Sequence, residues 1–230
     1  MREQGKARSV SRGTCSLCSE NFSKAAMTKH LKSCQASSAP NSSKTTTSTH
    51  PIRYYHLLVQ GRYDSQYWLH LAARANATLT NLDSFLRDIW LECCGHLSQF
   101  EINGANYFSA EATELGGKGM KVALDKVLRP DLKFFYDYDF GSTTRLTITV
   151  QGELLRPRVL RSPVELLARN HPPAIPCVNC GDAATQICTE CVYEDGGSLC
   201  DSCANEHECE DDMFLPVVNS PRAGVCDYVG

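Results

Sequence analysis

Residues 133–150 read KFFYDYDFGSTTRLTITV, and their alternation decides the fold. Phe134, Tyr136, Tyr138 and Phe140 share one side of an extended chain, and Leu146, Ile148 and Val150 share one side of the next. Successive strands that each carry one apolar face require a sheet with a buried side and a solvated side, which is the habit of antiparallel sheets. Asp137 and Asp139 alternate with the aromatics, so both carboxylates are expected on the opposite, solvated face, with Arg145 as a partner.

Upstream, Ser98–Ile102 and Ala105–Phe108 flank Asn103-Gly104, a strong two-residue hairpin signal. Before that, Leu82, Phe85, Leu86, Ile89, Trp90 and Cys93 recur at spacings of three and four, which predicts a helix. Thr80 reads as its N-cap, with Asp83 three positions on. Ile52–Gln60 and Gln66–Leu71 read as strands about the turn-forming Gly61–Asp64, and a second helix is expected over Lys118–Leu128, ending before Pro130. The order β-β-α-β-β-α-β-β predicts α+β: a central, mostly antiparallel sheet with helices on one face.

The chain has 230 residues, 42% hydrophobic and 21% charged, as in a globular protein. No stretch approaches the roughly 18 uninterrupted apolar residues of a membrane span. Residues 1–13 are polar and basic, without the apolar core of a secretory signal, so a cytoplasmic location with reduced thiols is expected. Of the 13 cysteines, all but Cys93 and Cys94 lie in two terminal clusters. In a reducing compartment such paired spacings point to metal rather than disulfides.

Charge is polarised. Residues 1–50 carry eight Lys/Arg against two Asp/Glu, residues 51–176 carry 14 against 13, and residues 177–230 carry one against 11. The first end should attract polyanions and the last should repel them. Composition divides the chain into a basic tail with a finger (1–34), a Ser/Thr-rich flexible linker (35–51), the α+β domain (52–170), a Pro-rich joint (171–176) and an acidic multi-Cys module (177–230).

Cys15, Cys18, His30 and Cys34 form a C-x2-C-x11-H-x3-C array, a strong zinc signal. The first pair suits a tight turn whose sulfurs share one ion, and the second pair lies at i and i+4 on one helix face. Arg8, Arg12, Lys24, Lys29 and Lys32 supply positive charge suited to phosphates, so nucleic acid is a partner this finger could contact. A finger of this size reads only about three base pairs, and the bland alternative is a module that orders the terminus.

From Cys177 the pattern is C-x2-C-x7-C-x2-C-x8-C-x2-C-x3-H-x-C. Cys177, Cys180, Cys188, Cys191, Cys200, Cys203, His207, Cys209 and Cys226 offer nine groups for the eight positions of two four-ligand ions. Ligand chemistry permits cross-braced or sequential pairing. The spacing resembles cross-braced modules of the B-box kind. That resemblance implies one site of Cys177, Cys180, Cys200 and Cys203, and another of Cys188, Cys191 and His207 completed by Cys209 or Cys226. About three Zn2+ ions are expected in all. Such sites are closed to a reacting water, and the module's negative charge suits a protein partner rather than DNA.

Three features resemble the plasmid pRiA4b ORF-3-like family, also labelled a resolvase-like passenger protein of a mobile element. They are Thr78, Leu79 and Leu82 at a helix start; His96, Leu97, Phe100, Ile102 and Gly104 around a hairpin; and Tyr136, Tyr138, Asp139, Phe140 and Gly141 at a strand end. The resemblance covers about residues 52–155 and implies an α+β domain linked to mobile DNA. Where the family continues with an acidic residue and Trp, this chain has Ser142 and Thr143. The residues contain no serine- or tyrosine-recombinase constellation.

These readings favour a non-enzymatic adaptor whose finger touches nucleic acid or a partner and whose acidic module docks protein. No small-molecule substrate or membrane partner is indicated. The rivals are a mobile-DNA processing enzyme using the central carboxylates and a purely structural zinc-stabilised scaffold. Cys93, Cys94 and His96 invite a nucleophile reading, but Cys93 continues an apolar stripe and reads as packing.

Overall fold

A computed structural model describes residues 10–37, 51–109, 116–156, 161–194 and 196–230. Arg8 and most of the 35–51 linker lie outside them. The chain opens with β1 (Arg12–Cys15), β2 (Asn21–Ser23) and α1 (Lys24–Ser37). Then come β3 (Ile52–Gly61), β4 (Trp68–Arg74) and α2 (Leu79–Leu86), which runs into a π turn over Arg87–Leu91. The hairpin β5 (Ser98–Ile102) and β6 (Ala105–Phe108) turns at Asn103 and Gly104. Both have positive φ, 51° and 75°, as a type I′ turn needs. Next are β7 (Lys118–Gly119), β8 (Lys133–Tyr138), β9 (Thr144–Arg156) and β10 (Val164–Asn170). The C-terminal module holds β11 (Gln186–Cys188), β12 (Ser198–Leu199), α3 (Asp201–Ala204) and β13 (Phe214–Pro216).

Ten strands form one sheet in the order β2-β1-β10-β4-β3-β9-β8-β5-β6-β7. Every pairing is antiparallel except the short β6–β7 contact. This is the expected α+β architecture, a large, mostly antiparallel sheet with Cys/His clusters at both ends. One sheet face carries Leu57, Val59, Leu69, Leu71, Phe134, Tyr136, Ile148 and Val150, which pack with Leu79, Leu82, Leu86 and Trp90 of α2 and its π turn. The alternate residues of β4, Trp68 and Ala72, face the other way and meet Met27 and Leu31 of α1.

The finger is therefore continuous with the central sheet. Gly13, Thr14 and Cys15 of β1 pair with Asn170, Arg169 and Ala168 of β10. Met27 and Leu31 are fully buried, each worth about 1.5–3 kcal/mol of apolar transfer. Gly13 is required because a Cβ there would collide with the Arg169 carbonyl and the Trp68 ring.

Three local expectations are corrected. The α2 N-cap is Thr78, not Thr80: Thr78 Oγ1 accepts from the Asn81 N–H and the Asn81 side chain accepts from the Thr78 N–H. Lys118–Leu128 holds no α-helix, only β7 and a 3-10 turn at Leu124–Lys126. Its carbonyls at Met120 and Val122 instead accept from the Thr80 and Leu79 N–H groups, closing the start of α2. Finally, Asp139 does not share a strand face with Asp137. It lies past the end of β8 with φ 64°, while Asp137 lies near Gln99 and Arg145 at the sheet surface.

Candidate metal centres

Among the described residues, four Cys/His groups could hold metal ions, each with its ligand atoms within 4.8 Å of one another. A tetrahedral ion of zinc size sets S···S at about 3.8 Å and S···N at about 3.6 Å, given Zn–S near 2.3 Å and Zn–N near 2.0–2.1 Å. A disulfide would need about 2.05 Å. All 13 cysteines are free thiols.

In the finger, the turn after β1 brings Cys18 back beside Cys15. Ser19 donates its N–H to the Cys15 carbonyl at 2.8 Å and adopts φ 63°. One turn of α1 separates His30 from Cys34. The Cys15 and Cys34 sulfurs lie 3.9 Å apart, and Cys18 Sγ lies 3.3 Å from His30 Nε2. Phe22 stacks on the His30 ring at 4.0 Å and fixes its plane.

The C-terminal module is cross-braced. Cys177 and Cys180 meet Cys200 and Cys203, with Cys180 and Cys200 sulfurs 3.6 Å apart. Cys188 and Cys191 meet His207 and Cys209, with Cys191 Sγ 3.4 Å from His207 Nε2 and 3.7 Å from Cys209 Sγ. Interleaving follows from the small sheet, where β12 and β13 flank β11 and carry the later pairs past the earlier ones.

The electrostatics of both groups suit a cation. Backbone N–H groups of Cys180 and Cys200 aim at the Cys177 sulfur and hold its thiol down, at about 6. Burial raises the Cys188 thiol, but the N–H groups of Cys191 and Glu190 prevail and bring it to about 7. Cys203, hydrogen-bonded to Cys200 and Cys177, and Cys209, hydrogen-bonded to Cys188 and Cys191, are pushed up to about 12. The four sulfurs of the first group, or the three of the second, cannot all be anions alone, whereas a shared dication makes each thiolate favourable.

Cys226 does not complete either C-terminal group. It lies with Cys93, Cys94 and His96 of the central domain, 3.6 Å from Cys94 Sγ and 3.6 Å from His96 Nε2. The sequence leaves Cys209 or Cys226 to complete the second C-terminal group, and the structure places Cys209 there. Sequence reasoning treated Cys93 as packing and left Cys94 and His96 without a metal role. The C-C-x-H spacing was the available signal, but the fourth ligand, Cys226, is 130 residues from His96.

A family model described as plasmid pRiA4b ORF-3-like protein matches residues 58–184, more than half of the chain. The chain belongs to this family. A protein of unknown function from Methanosarcina mazei Go1 is similar to it in structure, with 17% identity over 56% of this chain and 75% of that one and a TM-score of 0.45. No curated protein matches. The pRiA4b ORF-3-like match contains Cys93, Cys94, His96, Cys177 and Cys180, whereas the finger ligands and the later C-terminal ligands lie outside it.

The remaining residues singled out in this pRiA4b ORF-3-like chain are placed as follows. Lys24 donates to the Gln60 side chain and, at 3.2 Å, to the Ser65 carbonyl, so it anchors α1 to the β3–β4 turn. Arg12 is exposed and donates to the Asn21 carbonyl at 3.2 Å. Lys29 and Lys32 are exposed on α1. Trp68 and His70, on the face of β4 that meets α1, are fully buried. No described helix is long and apolar enough to cross a membrane.

Proposed function

We propose that the protein is a zinc-stabilised, non-enzymatic adaptor associated with mobile DNA. The finger contacts nucleic acid through the exposed side of α1, and the acidic module docks a protein partner. The observation that carries this reading is the division of charge between the basic finger, built onto the ten-stranded sheet, and the acidic module, which has a three-stranded sheet and two four-ligand groups of its own. Lys29, Lys32 and Arg12 stand exposed at one end, and the other end carries 11 acidic residues against one Arg. That Arg, Arg222, is fully buried and offers no positive surface. Membership of the pRiA4b ORF-3-like family supports the mobile-DNA setting.

An electrophoretic mobility shift with duplex DNA tests it. Lys29→Glu with Lys32→Glu should weaken binding and flatten its salt dependence by a log–log slope of about two, since each phosphate contact contributes about 0.9. Binding that ignores both the substitutions and the salt rejects the finger as the contact surface.

A further inference from the structure

Cys93, Cys94, His96 and Cys226 come from two segments that meet only in the folded chain. We propose that they bind a zinc-class divalent ion as a fourth site, and that this ion clasps the C-terminal tail onto the central domain. The Cys94 sulfur lies 3.6 Å from those of Cys93 and Cys226, and His96 Nε2 lies 2.9 Å from Cys94 Sγ. The sulfur separations approach the edges of a tetrahedral Cys3His shell and exceed disulfide length by well over an ångström, while the imidazole sits closer to Cys94 than the about 3.6 Å an ion would set.

Both halves of the site are held by contacts that need no ion. The π turn ends where the Glu92 N–H bonds the Arg87 carbonyl at 3.0 Å, and π turns often mark functional positions. Arg87 then reaches the Glu92 carboxylate at 2.8 Å, the His96 carbonyl at 2.7 Å and Ser98 Oγ at 2.9 Å. Gly95, at φ 79°, lets the chain double back so that Cys94 and His96 converge. On the tail, Ser220 Oγ donates to the Trp90 carbonyl at 2.6 Å, and Cys226 holds φ 53°, a conformation L-residues adopt rarely.

The surroundings also have the form of an outer ligand shell. Buried Arg222 donates to Cys93 Sγ at 3.4 Å and to Asp139 Oδ2 at 2.8 Å. Asp139 Oδ2 also lies 3.6 Å from His96 Nε2, the ligand nitrogen itself, so it adds negative charge beside the site rather than holding the ring from behind. The guanidinium thus offsets a carboxylate and one thiolate together. This accounts for the lone basic residue of the acidic module being buried, and for the position of Asp139 beyond its strand.

The test is native mass spectrometry with metal analysis of the full chain, purified with reductant and without chelator. Four zinc ions are expected, falling to three in Cys226→Ser and also in Cys94→Ser, whose side chain is exposed and leaves the Arg222 contacts intact. Hydrogen exchange over residues 217–230 should rise in both variants, and DNA binding by the finger should not change. Three ions in the unaltered chain, four retained in the variants, or an intact mass lower by two hydrogens from a disulfide at Cys226 would each overturn the proposal.

Discussion

Asp83 is the residue on which the buried polar network turns. Its Oδ1 accepts from Ser98 Oγ at 2.6 Å and from the Tyr136 hydroxyl at 2.7 Å, and its Oδ2 accepts from Arg87 Nε at 2.9 Å. Removing the carboxylate takes the acceptor from the buried Ser98 and Tyr136 hydroxyls while Arg87 keeps Glu92, so Asp83→Ala should cost about 1–3 kcal/mol for each stranded hydroxyl in urea unfolding. Tyr136→Phe, which removes one hydroxyl, should cost about 1–3 kcal/mol. On the opposite sheet face His56 Nε2 and His70 Nδ1 lie 2.9 Å apart in the core. Burial, then the charges of Lys32 and Arg156, lowers His56 to about 4, and burial with His56 beside it lowers His70 to about 3. The unfolded histidines titrate near 6.5. Below that pH the unfolded chain binds protons that the folded chain refuses, so stability falls as pH drops from about 6.5 toward 4 and 3. His56→Gln should therefore lose less stability than the parent between pH 7 and pH 5, measured by urea midpoints at each pH.

At the scale of elements, the strand β1 is what turns the finger from a tethered module into part of the sheet. Gly13→Ala should unpair β1 from β10 and make residues 10–37 far more susceptible to limited proteolysis, with the core strands still protected. The failure of a wild-type-like digestion pattern to change would mean the edge accommodates the methyl group. The sequence made β8 and β9 legible by alternation, β5 and β6 by the Asn103-Gly104 turn between them, and β3 by its run before the turn-forming Gly61–Asp64. It concealed β10, because a register shift between Leu166 and Ala168 breaks the period of two that marks a strand. The helix expected over Lys118–Leu128 failed for a different reason. Its apolar residues do enter the core, but its backbone is bonded to the start of α2 and cannot also close helical turns.

For the whole molecule, the Cys/His groups join segments that carry little apolar core of their own. Among the described residues of the acidic module, Cys177, Leu199 and Ala204 form a small buried cluster, with Cys200, Cys203 and Phe214 packed beside them. Metal binding should therefore be folding free energy for this region. A strong chelator with reductant should unfold residues 177–216 first, seen as rapid hydrogen exchange there, while β3, β4 and β9 stay protected. Equal loss of protection throughout would show that the large sheet depends on metal as well.

The sequence by itself determined the local chemistry: which cysteines and histidines pair along the chain, which strands alternate, and where charge accumulates. These are short-range properties, since a Cys-x-x-Cys turn or an i, i+4 pair is fixed by a few neighbouring dihedrals. Only the tertiary structure decided that Cys226 joins Cys93, Cys94 and His96, that β10 receives the finger, and that Asp139 faces Arg222. Each of those contacts closes a loop of many residues, and the choice of partner is made by packing of the whole core rather than by spacing.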